Sequence, residues 1–153
     1  MVKIATQGGD GAVAFAQESV VITCTNALAK GDVVTLTLAA GKFSACTKHA
    51  TADSTPDHIL GVASDAVDAG AKGRIVLRGV VEAACEANAD ASLTLVGSAS
   101  NAGRLEAQGT DGANDPSAFE KVVGIALENT ASAGDLTSVL FDGINGFSSP
   151  SNV

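Results

Sequence analysis

Aliphatic and β-branched residues alternate with polar ones in short runs along most of this chain, and turns rich in glycine or aspartate separate the runs. Residues 20–25 (VVITCT) are β-branched almost throughout and predict a strand. Residues 33–38 (VVTLTL) predict a second, with Val34, Leu36 and Leu38 in register, and Gly41-Lys42-Phe43 turns the chain into a short third. Residues 59–83 open on Ile59, Leu60 and Gly61 and pass through a polar loop that closes at Gly70 and Gly73. They then alternate, so that Ile75, Leu77 and Val80 are expected to face a core while Arg74, Arg78 and Glu82 face outward; this strand runs on towards Cys85. Residues 93–96, 122–127 and 136–141 supply further strands, and residues 118–121, after Pro116, supply at most one helical turn. The predicted class is all-β: a small barrel or sandwich of short antiparallel strands with little helix.

A second pattern lies over the first. Asn26-Ala27 returns as Asn88-Ala89, Thr35-Leu36 as Thr94-Leu95, Gly41-Lys42-Phe43 as Gly103-Arg104-Leu105, and Gly61-Val62-Ala63 as Gly124-Ile125-Ala126, while Ile75 and Leu77 match Val139 and Phe141. Order is kept across all five sites at an offset near 62 residues, with slips in loops, where insertions are cheap. The expected organisation is an N-terminal arm (1–19), a β domain (20–141) built of two tandem-related units (about 26–87 and 88–141), and a C-terminal tail (142–153).

Composition narrows the function. The chain has no Trp or Tyr and five Phe, so its core gains little area per side chain, and partner subunits are expected to add stability. Seventeen acidic residues against nine basic ones leave a net charge of −8 without a basic cluster, which argues against nucleic acid as a partner. Cys24, Cys46 and Cys85 are far apart and form no C-x-x-C pair, so they read as small buried apolar residues in a reducing compartment. The opening MVKIATQGGDG has no apolar segment of the export type, and no run approaches a membrane span, so neither an export signal nor a membrane partner is expected.

Candidate chemistry is sparse. Gly9-Asp10-Gly11-Ala12-Val13-Ala14 has the spacing of a dinucleotide loop, but only about two turns of weak helix former separate it from the first strand. It reads as a hinge. His49 and His58 fall in a loop-like stretch as solvated side chains, with Cys46 and Asp57 nearby but without the four clustered ligands of a structural zinc site. Asp65 with Asp68, Asp111 with Asp115, and Glu82 with Glu86 read as solvated loop and outer-face carboxylates. No catalytic, cofactor-binding or metal-binding residue is assigned, and an enzyme is not expected. Val2, Lys3 and Ile4 could add as a strand to an exposed sheet edge, and together with Arg74 and Arg78 they are the candidate partner-binding residues.

The stretch 59–83 also carries a resemblance. An apolar-Gly-Val-Ala step (Gly61-Val62-Ala63), an acidic Ala-rich loop, a glycine and a strand ending Arg78-Gly79-Val80-Val81-Glu82 resemble the small capsid decoration, or cement, proteins of tailed bacteriophages. Gly31-Asp32-Val33-Val34, Gly41-Lys42-Phe43 and the second step at Gly124 fit the same pattern, and lambda-type head-decoration proteins share a looser version. The loop 108–117 and the tail depart from both. The resemblance implies a β-rich, non-enzymatic virion protein. It would be made in the host cytoplasm, would bind the major capsid protein on the outer capsid surface, and would stabilise the expanded shell as a homotrimer. A tail or adhesin module binding a receptor or glycan is the alternative, and a nucleotide-binding enzyme using residues 9–14 is the third reading.

Overall fold

A computed structural model describes residues 17–50, 59–108 and 121–147, and among them the chain is all-β, a small barrel with extra strands and no helix. The strands are β1 (Glu18–Cys24), β2 (Val33–Ala39), β3 (Lys42–Lys48), β4 (Ile59–Ala63), β5 (Lys72–Ala84), β6 (Thr94–Gly97), β7 (Leu105–Ala107), β8 (Gly124–Ala126) and β9 (Leu136–Asp142). They lie in the order β1-β3-β2-β4-β5-β9-β8-β6-β7. Because β1 also pairs antiparallel with β5, the first five strands close into a ring. On the far side of β5, strands β9, β8, β6 and β7 nearly close a second ring, which a single parallel bridge between Cys85 and Leu105 completes. Two small barrels thus share one thirteen-residue strand.

Sharing is possible because β5 changes side part-way along. Glu18 pairs with Arg78 but Ser19 pairs with Val76, so β5 carries one extra residue there, and Gly79 follows at φ +115°, a backbone setting a side chain would strain. Before the bulge, Ile75 and Leu77 point into the first barrel with Ile22, Cys24, Val34, Leu36 and Cys46. Past it, Val81, Ala83 and Cys85 point into the second barrel with Leu95, Leu105, Val139 and Phe141. Val33, Leu60, Val62 and Val76, on the outer side of the first barrel, are buried in that second core, so the common wall is dry on both faces. This corrects the expectation for Val80: it shares a side with Ile75 and Leu77, but the first barrel has ended, and Val80 is left half-buried with the Gln17 amide donating to its carbonyl at 2.6 Å.

The two rings are built alike. In each, a hairpin (β2–β3, β6–β7) is followed by a strand that pairs with its first member (β4, β8) and then with the next strand (β5, β9). The Asn26 side chain accepts from the Lys48 N–H at 2.8 Å, and Asn88 accepts from Ala107 at 3.2 Å. Cys24 bridges Cys46 in parallel, as Cys85 bridges Leu105. The Gly70 and Gly134 amides donate to the Cys24 and Cys85 carbonyls, both at 2.7 Å. By register Val34, not Leu36, is the counterpart of Leu95, since Val34 pairs with Gly61 and Leu95 with Gly124. The second half of β5 stands to β7 and β9 as β1 stands to β3 and β5.

Three further expectations change. His49 is not solvated: it is fully buried, its backbone N–H donates to Val33 and its carbonyl accepts from Gly103, both at 2.9 Å. Its ring lies so close to Gly97 that a methyl group there would overlap it, which is why β6 ends on glycine. Glu86, expected on an outer face, is buried. The chain after residue 141 does not leave the fold at once: Asp142 belongs to β9, the Gly143 N–H donates to Leu77 at 3.0 Å, and Phe147 bridges Val122. Residues 1–16, 51–58, 109–120 and 148–153, which carry most of the expected arm, the Gly9–Ala14 segment, His58 and most of the long polar loop, lie outside the described residues, while Glu18 and Ser19 of that arm belong to β1.

Phe141 is the largest fully buried side chain, so Phe141→Ala should cost about 3–5 kcal/mol. Val80→Ala, at a half-buried site, should cost under about 1 kcal/mol. Urea denaturation of both variants checks the pair, and equal losses would return Val80 to the core.

Candidate interaction surface

Polar groups inside the fold serve the fold. Among the described residues no three His, Cys, Asp or Glu side chains gather as metal ligands. The buried Glu86 and Glu106 carboxylates flank the Ser98 hydroxyl at 3.2 Å each. Around them, the Ala99 amide donates to Glu106 at 2.8 Å, Asn101 Nδ2 donates to Glu86 at 2.8 Å, and Arg104 reaches Glu86 at 3.3 Å. This network ties the β6–β7 turn to the end of β5, and burial without such partners would cost several kcal/mol per charge. Two of the cysteines are poor nucleophiles in the closed fold for a related reason. Burial, helped by an S–H bond with Cys24, pushes the Cys46 thiol up to about 12. Burial likewise pushes Cys85 up to about 11, although the Thr137 and Thr130 hydroxyls pull in the other direction. Neither can supply a thiolate nucleophile at neutral pH.

The surface is more informative. Arg78 projects from β5 between its two neighbours, reaching Glu18 of β1 at 3.4 Å and Asp142 of β9 at 3.2 Å. It clamps three strands, and its charge is engaged within the chain. Asp142 does more: its carboxylate also accepts from the Ile144 and Asn145 amides at 3.1 and 3.0 Å, fixing the turn after β9. Arg74 is exposed on the wall of the first barrel opposite Val21, itself 59% exposed, and pairs with no described carboxylate. Arg74 and Arg78 therefore occupy different settings, and Val2, Lys3 and Ile4 lie outside the described residues.

Pattern reading passed over the outer wall of the second barrel. There Val80, Leu140, Ile125 and Thr94 stand in one row across β5, β9, β8 and β6. The three apolar members are half-buried, while Leu127 and Leu136 beside them are 49% and 40% exposed. The nearby charges are satisfied internally. Lys30 pairs with Glu82, and the bond and attraction from Glu82 raise the lysine above its ordinary pKa. Glu128 takes the Ser138 N–H at 2.7 Å, a backbone bond that holds its carboxyl below the ordinary range. A cleft of about 230 Å³ between Gln17, Lys30, Ser64, Val80 and Ser138 marks the edge of this wall. The signal was present in the sequence: residues 122–127 (VVGIAL) are apolar at both odd and even positions, as a strand covered on both faces would be.

No protein-family model matches the chain, and no curated protein matches it. Among solved structures, it is similar to the head fiber gp8.5 N base of bacteriophage phi29, with a TM-score of 0.54 and 17% sequence identity over 87% of this chain and 99% of that one. At that identity the likeness concerns the fold.

Two outcomes follow from the geometry. Asp142→Ala should cost about 2 kcal/mol, because it removes one of the two carboxylates that hold Arg78 and the acceptor of two turn amides, while Arg74→Ala should stay within about 0.5 kcal/mol; chemical denaturation separates them. For the buried thiols, a pKa raised in the folded state means stability intact below the ordinary value of 9.0 and lost as pH rises towards about 11 and 12. Thermal melts should therefore fall from pH 9 to 11, by up to roughly 1.4 kcal/mol per pH unit for each thiol, and Cys85→Ala should flatten the decline.

Proposed function

We propose that this chain is a structural, non-enzymatic virion protein that binds the major capsid protein on the outside of an icosahedral phage head and stabilises the expanded shell as a homotrimer. The observation that carries the reading is the shared fold with the phi29 head fiber base, which extends over 87% of this chain. The sequence resemblance to cement proteins supports a phage head protein by an independent route. A protein that binds only the assembled shell stabilises it by mass action, and no chemistry is needed. Three linked copies multiply modest contacts through effective concentration, which suits a core poor in aromatic residues.

The outer wall of the second barrel is the face assigned to the contacts between copies. Each copy carries a net charge of −8, and on this wall the flanking Glu82 and Glu128 are already engaged, so apolar area meets with little added repulsion. Purified protein mixed with undecorated expanded shells should co-sediment with them at saturation and delay their thermal disruption; absence of binding would overturn the reading. In light scattering the free protein should have trimer mass, and Leu127→Asp should shift it to monomer while leaving the β-sheet circular dichroism unchanged. A trimer that persists in that variant moves the contact elsewhere.

A further inference from the structure

Cys24 and Cys46 are 22 positions apart in sequence, yet the first barrel makes them register partners in the parallel pairing of β1 with β3. Their sulfurs are 3.5 Å apart, the Cys46 thiol donating to Cys24, and both side chains are fully buried. Adjacent strands lie about 4.8 Å apart, inside the roughly 4.4–6.8 Å between Cα atoms that a disulfide spans. Closing the bond therefore asks for a side-chain shift of about 1.5 Å and no rearrangement of the strands. Cys85, the third thiol, sits in the other core, and at the equivalent of Cys46 the second ring carries Leu105, so only the first ring holds a facing pair.

We infer that Cys24 and Cys46 are a latent disulfide site that staples the β1–β3 seam when the protein meets an oxidised low-molecular-weight disulfide. The step balances: Cys24–SH and Cys46–SH give up two electrons and two protons, the Sγ–Sγ bond forms, and the S–S bond of the oxidant breaks to yield two thiols. The seam is where such a staple matters. The first barrel closes there through two registered pairs, as few as in β4–β5 and fewer than the four of β2–β4 and the six each of β1–β5 and β2–β3, with one further bond from the Thr25 amide to the Cys46 carbonyl at 2.9 Å. Residues 18–22 of β1 have no registered partner in β3, so opening from that end is the least costly route to the thiols. Burial shields both sulfurs in the closed barrel and raises the Cys46 thiol, so oxidation waits on that opening and its rate levels off as oxidant is raised. The inference rests on the first barrel's geometry and is independent of the head-protein reading.

The test uses the folded chain with oxidised glutathione at pH 8, quenched by alkylation under denaturing conditions. Intact mass should fall by two hydrogens, with one alkylatable thiol left, and peptide mapping should join Cys24 to Cys46. The melting temperature should rise by about 5–10 °C and return on reduction. Cys85→Ser should keep both effects, and Cys46→Ser should lose both. Three alkylatable thiols after prolonged oxidation, glutathione adducts in place of the crosslink, a crosslink through Cys85, or a crosslinked form that melts lower would each overturn the inference. Because mass and mapping are read on the unmodified sequence, the result does not depend on any variant folding.

Discussion

A single strand lines two cores in this fold, and the other elements are arranged around that constraint. A regular strand offers one face to each side, so β5 would serve a barrel on one side along its whole length. The extra residue opposite β1, with Gly79 behind it, turns the second half over: Ile75 and Leu77 fill one barrel and Val81, Ala83 and Cys85 the other. The wall left between the barrels must then be apolar on both faces, which is why Leu60 and Val62 are buried although Ala63 already faces the first barrel. Small side chains suit this geometry. A five-stranded ring has a narrow interior, and the two rings are filled mostly with Val, Ala, Leu, Ile and Cys, with Phe141 the one aromatic side chain in either buried cluster.

Much of this was legible in the residues, and the limits have physical causes. Period-two alternation located the strands within a few residues except β7, whose three residues are too few to show a period, since side-chain parity and the hydrogen-bonded ladder both follow from the same pleated backbone. Asn26 and Asn88 gave the relation between the halves because each does the same local work, holding a backbone N–H of the following hairpin. The bulge was not legible: it is defined by what β1 does across the ladder, and nothing in residues 75–81 marks it except a glycine. The meeting of Cys24 with Cys46 depends on parallel pairing between strands that are not consecutive, which periodicity does not encode. His49 shows the reverse error, for a polar residue in a stretch rich in Thr and Ala is buried once Gly97 makes room for its ring.

The surface follows the same logic. A strand shared by two rings leaves its outer residues stranded where one ring stops, and Val80 is such a residue; with Leu140 and Ile125 it forms an apolar row that no described element covers. Meanwhile the charges that looked available in sequence are mostly committed inside the chain, Arg78 to Glu18 and Asp142, and Arg104 to Glu86. Recognition by shape and apolar area, rather than by a charged site, is what such a surface can offer.

The Arg78 clamp has a consequence for how the fold is strung on its chain. Glu18, at the start of the first strand, and Asp142, at the end of the last, both meet the same guanidinium near the middle of β5. The start of the first strand and the end of the last therefore lie side by side, and both barrels are strung between them before the chain turns back to pair Phe147 with Val122. A body whose first and last strands meet at one side chain has the geometry that suits insertion into a loop of another protein, since the two strand ends ask little separation of a host.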